Sequence, residues 1–360
     1  MRCAIQPMKS TPRRRVFAEP HAPLCRMSTK VIRDLGLSHA SQSPSNFGRV
    51  EHVLAIVCPG QGSQTPGFLT SWLEEPALAS RLAELSDAAG KDLAWLGTEA
   101  DEETIKDTAH AQRLIVAAGL LAADALFGDD GASADAVYAG HSVGEITASA
   151  ITGVMSYEDA LRFVALRADE MAKASNAQPT GMAAVLGGDH AEVIAAIEAA
   201  GAAPANMNGG GQIVAAGSLE SLEKLGENPP AKARVIPLKV AGAFHTEYMA
   251  PAVDPLRELA ASITARDPRG TLLTNAGGSE VDTGTHMLRL LVDQVTRPVD
   301  WESCQETMKD LGVTGLIELT PAGTLTGLAR RGLKGVKTFA LKTPDQLEEA
   351  RAFIREHSGN

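Results

Sequence analysis

The segment AVYAGHSVGEITASAITG, residues 136–153, constrains this chain more than any other part of it. Its first four residues are typical of a short strand, and the residues from Glu145 onward are typical of a helix. Between them, residues 140–144 have the Gly-x-Ser-x-Gly spacing. A serine on such a sharp strand-to-helix turn projects its hydroxyl, and backbone N–H groups at the start of the helix lie beside it. The segment predicts an α/β fold with Ser142 as a candidate nucleophile; the alternative is a serine that merely lies at a glycine turn.

The rest of the chain is typical of an alternating α/β protein. The run VLAIVCPG, residues 53–60, predicts a buried strand that ends in a turn. Residues 136–139 predict a second strand, and helices are expected around 75–90, 103–107 and 110–127.

From Gly181 the pattern changes to strand, helix, strand, helix and strand, with the strands expected at 181–188, 208–218 and 234–242. This order is typical of a small α+β unit with a split βαβ plan. We therefore expect a large subdomain from residues 51–177 and 246–360, and a small one from residues 178–245.

Residues 1–50 differ in kind from the rest. They contain nine of the 33 Lys and Arg residues but only two of the 44 Asp and Glu residues, which is typical of a basic, disordered leader. They contain no apolar run of secretory length, so we expect a cytoplasmic enzyme. An organelle transit peptide and a true start at Met27 are the open alternatives.

Composition excludes several classes of partner. The net charge is −11, and the acidic body argues against nucleic acid or an anionic membrane as the main partner. The apolar run Leu114–Phe127 is shorter than a membrane span and contains Asp124, which favours a buried helix. No segment suggests a subunit interface, so a monomer is expected. The scattered cysteines indicate reduced thiols and no zinc site: Cys3, Cys25, Cys58 and Cys304.

A serine hydroxyl needs a base within hydrogen-bond reach to act as a nucleophile. His245, in AGAFHTEYM, follows an apolar run at a turn of small residues and is the best candidate among the nine histidines. His141 adjoins Ser142, but neighbouring side chains on a tight turn point apart, so a structural role is expected for it.

Two further features flank the candidate nucleophile. The loop around Gln61 follows the first strand, at the edge where open parallel sheets bind ligands. It lacks the P-loop and dinucleotide patterns, so we interpret its backbone N–H groups as donors to an oxyanion. Arg167, on the helix after the elbow, is either a surface residue paired with Asp169 or Glu170, or a guanidinium that binds a carboxylate.

The motifs GQGSQ, GHSVGE, an arginine on the next helix, GAFH and IELTPAGTLTGLARR occur in this order between residues 53 and 345. In this respect the chain resembles the malonyl-CoA:acyl carrier protein transacylases and is similar to the acyltransferase domains of polyketide synthases. The resemblance implies an α/β-hydrolase-like large subdomain with an inserted ferredoxin-like small subdomain. It also implies no bound cofactor, malonyl-CoA as substrate, and the phosphopantetheine arm of acyl carrier protein as acceptor.

The resemblance also implies roles for individual residues. Ser142 matches the nucleophile and His245 its base. Gln61 and Val143 match the residues whose backbone N–H groups form the oxyanion hole, and Arg167 matches the arginine that pairs with the malonyl carboxylate.

Two more positions follow from the resemblance. Gln294, in LVDQVTRPVDW, matches a glutamine whose backbone carbonyl orients the histidine, so that a Ser-His dyad replaces a triad. Phe244 matches the aromatic residue that accompanies malonyl selectivity, because a phenyl ring can occupy the space of an α-methyl group. Core packing of Phe244 and methylmalonyl selectivity are the open alternatives.

Other hypotheses remain open at this point. We expect an acidic carrier protein, for which Arg330, Arg331 and Lys334 form the candidate docking cluster; the alternative is a solvated helix end. A serine thioesterase or esterase would use the same elbow, but no Asp or Glu in residues 146–244 stands at a convincing strand end. The third hypothesis is a carrier-binding module without catalysis. Whether the carrier serves fatty acid or polyketide synthesis is not decided by the sequence.

Overall fold

The computed structural model describes residues 52–240 and 242–358, so the predicted leader, residues 1–50, lies outside the described residues. The strands in the described ranges are β1 (Val53–Cys58), β2 (Val137–Gly140), β3 (Thr180–Gly187), β4 (Ala203–Gly209), β5 (Gln212–Ser218), β6 (Ala233–Pro237), β7 (Thr271–Leu272), β8 (Val299–Asp300), β9 (Val313–Glu318) and β10 (Lys337–Ala340).

The helices in the same ranges are α1 (Pro76–Ala89), α2 (Leu93–Thr98), α3 (Glu102–Lys106), α4 (Thr108–Phe127), α5 (Gly144–Ile151), α6 (Tyr157–Ala177), α7 (His190–Ala199), α8 (Leu219–Glu227), α9 (Val253–Ser262), α10 (Gly284–Asp293), α11 (Trp301–Asp310), α12 (Thr324–Gly332) and α13 (Leu347–His357). A 3-10 turn, Glu247–Ala252, directly precedes α9.

The large sheet is parallel, with the strand order β10-β9-β1-β2-β7. β1 and β2 are apolar and buried along nearly their whole length, as expected for the centre of a parallel sheet covered on both faces. Cys58, the last residue of β1, is in register with Gly140, the last residue of β2. The loop that contains Gln61 and the turn that contains Ser142 therefore leave the same edge of the sheet, where ligands bind in this class of fold.

The small sheet has the strand order β6-β3-β5-β4-β8. The chain order β3-α7-β4-β5-α8-β6, with antiparallel pairing, is a ferredoxin-like arrangement. The predicted fold class, an α/β-hydrolase-like part with a ferredoxin-like insertion, is confirmed.

The strand predicted over residues 208–218 is a hairpin of β4 and β5, which turns through Gly210 at a left-handed φ of 59°. Prediction missed β4, APANMNG, because proline and asparagine are depleted in strands. The strand at the other edge of this sheet, β8, comes from far outside residues 178–245 and pairs in parallel with β4.

Helix α4 packs against α6 in the core. By length and composition α4 could cross a membrane, yet 78% of its most apolar window is buried inside the protein. Asp124, near its end, accepts a hydrogen bond from Arg81 at 2.8 Å. The helix therefore lies where the sequence predicted it, in the core.

Candidate active site

The turn between β2 and α5 holds Ser142 in a strained conformation, with a left-handed φ of 52°. The turn packs tightly on the end of β1, because the His141 N–H donates to the Cys58 carbonyl oxygen at 3.0 Å. A Cβ on Gly140 would overlap the backbone of Gly144, and a Cβ on Gly144 would overlap the Cys58 carbonyl oxygen. Both glycines of the pattern are thus required by close backbone approach, which explains why the spacing predicts the turn.

Replacing Gly144 with Ala is expected to destabilise the protein by about 3 kcal/mol, because the added methyl meets backbone that cannot move away cheaply. Gly226 near the end of α8 is a matched control, since a Cβ there has no atom within 4 Å. Gly226→Ala should be neutral or stabilise by about 0.5–1 kcal/mol, the difference in helix propensity. Urea unfolding of both variants measures the contrast, and equal midpoints would contradict it.

Ser142 and His245, 103 residues apart in the chain, lie together. Ser142 Oγ lies 2.7 Å from His245 Nε2, and His245 Nδ1 lies 2.9 Å from the backbone carbonyl oxygen of Gln294. A carbonyl only accepts, so Nδ1 carries the proton and the lone pair of Nε2 faces the serine. Burial, together with the nearby Arg167 charge, lowers the pKa of His245 to about 3. The imidazole is therefore neutral and able to take the serine proton.

Two free backbone donors lie beside Ser142. The backbone N–H groups of Gln61 and Val143 have no acceptor among the described residues, and both residues line the active-site cavity. The N–H of Ser142 itself is engaged, since it donates to Asn275 Oδ1 at 2.8 Å. An oxyanion formed at Ser142 would have the first two groups as its available backbone donors.

Arg167 lies in the interior, with 1% of its surface exposed. Its Nη2 lies 3.3 Å from Ser142 Oγ and donates to Gln294 Oε1 at 2.9 Å, while its Nη1 donates to Gln112 Oε1. The surface alternative does not hold: among the described residues, Asp169 pairs with Arg113 and Glu170 with Lys173.

The guanidinium of Arg167 thus has no carboxylate within salt-bridge distance in the described ranges. Burial lowers its pKa to about 10, so it remains charged at neutral pH. A buried cation with no carboxylate in direct contact, on which Glu145 acts only across the Gln294 amide, is a site for a carboxylate of the substrate beside a candidate nucleophile.

The active-site cavity has a volume of about 220 Å³ and lies between the two sheets. Phe244 forms part of its wall next to His245, and 6% of Phe244 is exposed. His141 also lines the cavity and its Nε2 lies 2.9 Å from Asn208 Oδ1, so the small sheet contacts the elbow directly. Gln294 does not line this cavity and reaches it through Arg167 and His245.

Sequence reasoning missed three residues that contact the site: Gln112, Glu145 and Asn275. Glu145 was visible as an acidic residue at the start of an apolar helix, and burial of a carboxyl is unusual without partners. Gln112 and Asn275 gave no local signal, because their partners lie 55 and 133 residues away along the chain.

The fold and the site together define an α/β enzyme with a candidate serine nucleophile, Ser142, at a strand-to-helix turn. Residues 55–352 match the acyl transferase domain family. A malonyl CoA-acyl carrier protein transacylase of Mycobacterium tuberculosis is 52% identical over 298 residues, which cover 82% of this chain and 99% of that protein. The chain belongs to this family of transacylases and is an acyltransferase, which confirms the resemblance inferred from the motifs.

Solved structures agree with this assignment. The crystal structure of MCAT from Mycobacterium tuberculosis has a TM-score of 0.79 and 51% identity, over 83% of this chain and all of that one. A type II PKS acyl-carrier protein in complex with its malonyl-transacylase also matches, with a TM-score of 0.79 and 29% identity, over 83% of this chain and 99% of that one.

Proposed function

We propose that this enzyme transfers the malonyl group from malonyl-CoA to the phosphopantetheine thiol of an acyl carrier protein, through a malonyl-serine at Ser142. The observation that carries the proposal is the buried guanidinium of Arg167, 3.3 Å from Ser142 Oγ and without a carboxylate partner among the described residues. A malonyl group has the free carboxylate that this cation lacks. An acetyl group would leave the guanidinium desolvated and unpaired, at a cost of about 1–3 kcal/mol.

The geometry supports a two-step reaction. Ser142 Oγ attacks the thioester carbonyl while His245 Nε2 takes its proton, and the N–H groups of Gln61 and Val143 stabilise the oxyanion. The C–S bond then breaks, and the proton on His245 passes to the thiolate of coenzyme A. In the second step the carrier thiol gives its proton to His245 and attacks the acyl-serine, and Ser142 recovers its proton as the ester bond breaks.

Intact-protein mass measures this function directly. Mixing with malonyl-CoA should add one malonyl group to the wild-type enzyme and none to Ser142→Ala, and holo carrier protein should remove the adduct. Acetyl-CoA should give little adduct, and methylmalonyl-CoA less than malonyl-CoA because Phe244 occupies the space beside His245. Release of free malonate without an adduct, or transfer to water instead of the carrier, would show a thioesterase and overturn the proposal.

We propose that the acyl carrier protein, which accepts the malonyl group in the second step, docks on helix α12. Thr324, Leu325 and Leu328 of this helix line the active-site cavity, and the helix ends in exposed Arg330 and Arg331. An acidic carrier bound at this end would have its prosthetic arm close to the cavity entrance. Lys334, also exposed, extends the same cluster.

Reversing both charges, Arg330→Glu with Arg331→Glu, is expected to raise the KM for carrier protein about tenfold at low salt, because rim charges act on association. Acylation of Ser142 by malonyl-CoA should stay within about twofold and is the internal control. Steady-state kinetics at varied carrier concentration measure the effect, and an unchanged carrier KM would contradict the docking proposal.

The remaining expectations belong to the same proposal. We propose that the enzyme acts in the cytoplasm as a monomer without a bound cofactor, with neither nucleic acid nor a membrane as partner. We also propose residues 178–245 as the small subdomain, and residues 51–177 and 246–360 as the large one. The acidic net charge of −11 argues against nucleic acid as a partner, and the burial of α4 argues against a membrane.

A further inference from the structure

The side-chain amide of Gln294 lies between two charged groups behind the nucleophile. Its Oε1 accepts a hydrogen bond from Arg167 Nη2 at 2.9 Å. Its Nε2 donates to a carboxylate oxygen of Glu145, and also to the Ser142 carbonyl oxygen at 3.1 Å. The amide is thus oriented with its acceptor toward the cation and its donor toward the acid.

Glu145 is the acid in this arrangement, three residues after the nucleophile, with 1% of its surface exposed. Its other carboxylate oxygen accepts a hydrogen bond from the Asn275 N–H at 2.5 Å. Burial raises the pKa of this carboxyl to about 7, while hydrogen bonds and the Arg167 charge act in the opposite direction. In its ionised form, present above that pKa, the carboxyl has no hydrogen to donate, so both neighbours must turn an N–H toward it.

Glu145 is therefore the charged acceptor among the three groups that set which way the Gln294 amide faces, the others being the Ser142 carbonyl oxygen and Asn275 Oδ1, at 3.1 and 3.3 Å from Nε2. If the amide flipped, its oxygen would face the carboxylate and its NH₂ group would face the guanidinium. Both contacts would be repulsive in a buried site, where polar mismatches are costly. With the amide fixed, Arg167 has two oxygen acceptors, on Gln112 and Gln294, and these hold its guanidinium facing Ser142.

We propose that Glu145 is a positioning residue for acyl-group selectivity: through the Gln294 amide it holds Arg167 where the carboxylate of the acyl group binds. The inference rests on the proposed function, since it assigns Arg167 to the malonyl carboxylate. The proposed role of Glu145 is distinct from that of the Ser142–His245 pair, because neither carboxylate oxygen of Glu145 contacts Ser142 Oγ or the His245 ring.

Glu145→Gln tests the proposal, because it keeps the shape and removes one acceptor. The backbone N–H of Asn275 cannot turn away, so the oxygen of the new amide should stay on it and the new NH₂ group should face Gln294. The Gln294 amide should then flip and present its NH₂ group to Arg167. We expect the malonyl-CoA concentration that gives half-maximal acylation of Ser142 to rise about tenfold, as for a lost hydrogen bond to a charge.

A fluorophosphonate probe supplies the second readout, since it labels Ser142 through the dyad and needs no carboxylate partner. In Glu145→Gln its labelling rate should stay within about twofold of wild type. Asn275→Ala removes the acceptor of the Ser142 N–H, the donor to the Gly140 carbonyl oxygen and a 3.3 Å contact of Gln294 Nε2, and should slow both reactions. Asp169→Asn is the matched control, a carboxylate-to-amide change on the helix of Arg167 but outside the cavity, and should change neither.

The outcomes are distinguishable. Equal loss of malonyl acylation and probe labelling in Glu145→Gln would show that Glu145 only supports the elbow, and an unchanged malonyl-CoA dependence would show that it has no role; either result overturns the inference. A wild-type enzyme that reacts with the probe but takes no malonyl group overturns the proposed function instead, and the inference with it.

Discussion

Replacing His245 with Ala is expected to slow malonyl transfer by a factor of about 10⁴ or more, the effect of removing the base from a serine nucleophile. The reason is geometric: Nε2 of His245 is 2.7 Å from Ser142 Oγ, and the Gln294 carbonyl holds the proton on the other nitrogen. Without the imidazole, no described side chain within hydrogen-bond distance of Oγ can accept its proton, since its other neighbour is the Arg167 guanidinium.

Single-turnover acylation by malonyl-CoA measures this loss. His141→Asn is the matched control, because His141 is a second, half-buried histidine beside Ser142 that contacts Asn208 instead of Oγ. We expect a much smaller loss in that variant. A His245→Ala enzyme that keeps a hundredth of the wild-type rate would show that another group is the base.

Replacing Arg167 with Ala is expected to lower kcat/KM for malonyl-CoA by about a hundredfold or more, while acetyl-CoA loses little. The variant loses a charged, hydrogen-bonded pair with malonyl-CoA but not with acetyl-CoA. The ratio of kcat/KM for malonyl-CoA to kcat/KM for acetyl-CoA therefore reports the selectivity of the site. Arg167→Lys keeps the charge but not the planar fork, so its ratio should fall between wild type and Arg167→Ala. Equal losses with both thioesters would contradict the assignment of the carboxylate to Arg167.

The same variant should change the pH profile of acylation. Arg167 is one of the causes that keep the pKa of His245 near 3, so its removal should raise that pKa. A protonated imidazole cannot act as the base, so activity should be lost at a higher pH in Arg167→Ala than in wild type. Measuring acylation from pH 8 downward tests the sign of this shift.

The sequence predicted the parts of the fold whose cause is local. The elbow could be predicted because Gly140 and Gly144 are required by backbone contact, and β1 because its apolar run is buried on both faces. Strand β4 was missed because Pro204 and two asparagines disfavour a strand locally, whereas pairing with β5 and β8 stabilises it.

The residues of the site also differ in how far local sequence could predict them. Ser142 could be predicted as a candidate from the pattern around it, and His245 from its place after an apolar run at a turn, and the structure places the two side chains 2.7 Å apart. The orientation of Arg167 could not, because it depends on Gln112 and Gln294, which are 55 and 127 residues away along the chain. Only the resemblance to a family distinguished an inward arginine from a surface one. The buried contacts of Glu145 with Asn275 and Gln294, 130 and 149 residues away, needed the structure.

The origin of strand β8 has a consequence for recombination between relatives. Four strands of the small sheet come from one continuous stretch of the chain. The fifth, Val299–Asp300, comes from a later segment, after His245. An exchange of residues 178–245 alone would separate β4 from its native neighbour and would leave the segment after Gln294 to pair with a foreign edge. Chimaeras should therefore inherit the two stretches together, so that the exchangeable unit is discontinuous in the gene although continuous in space.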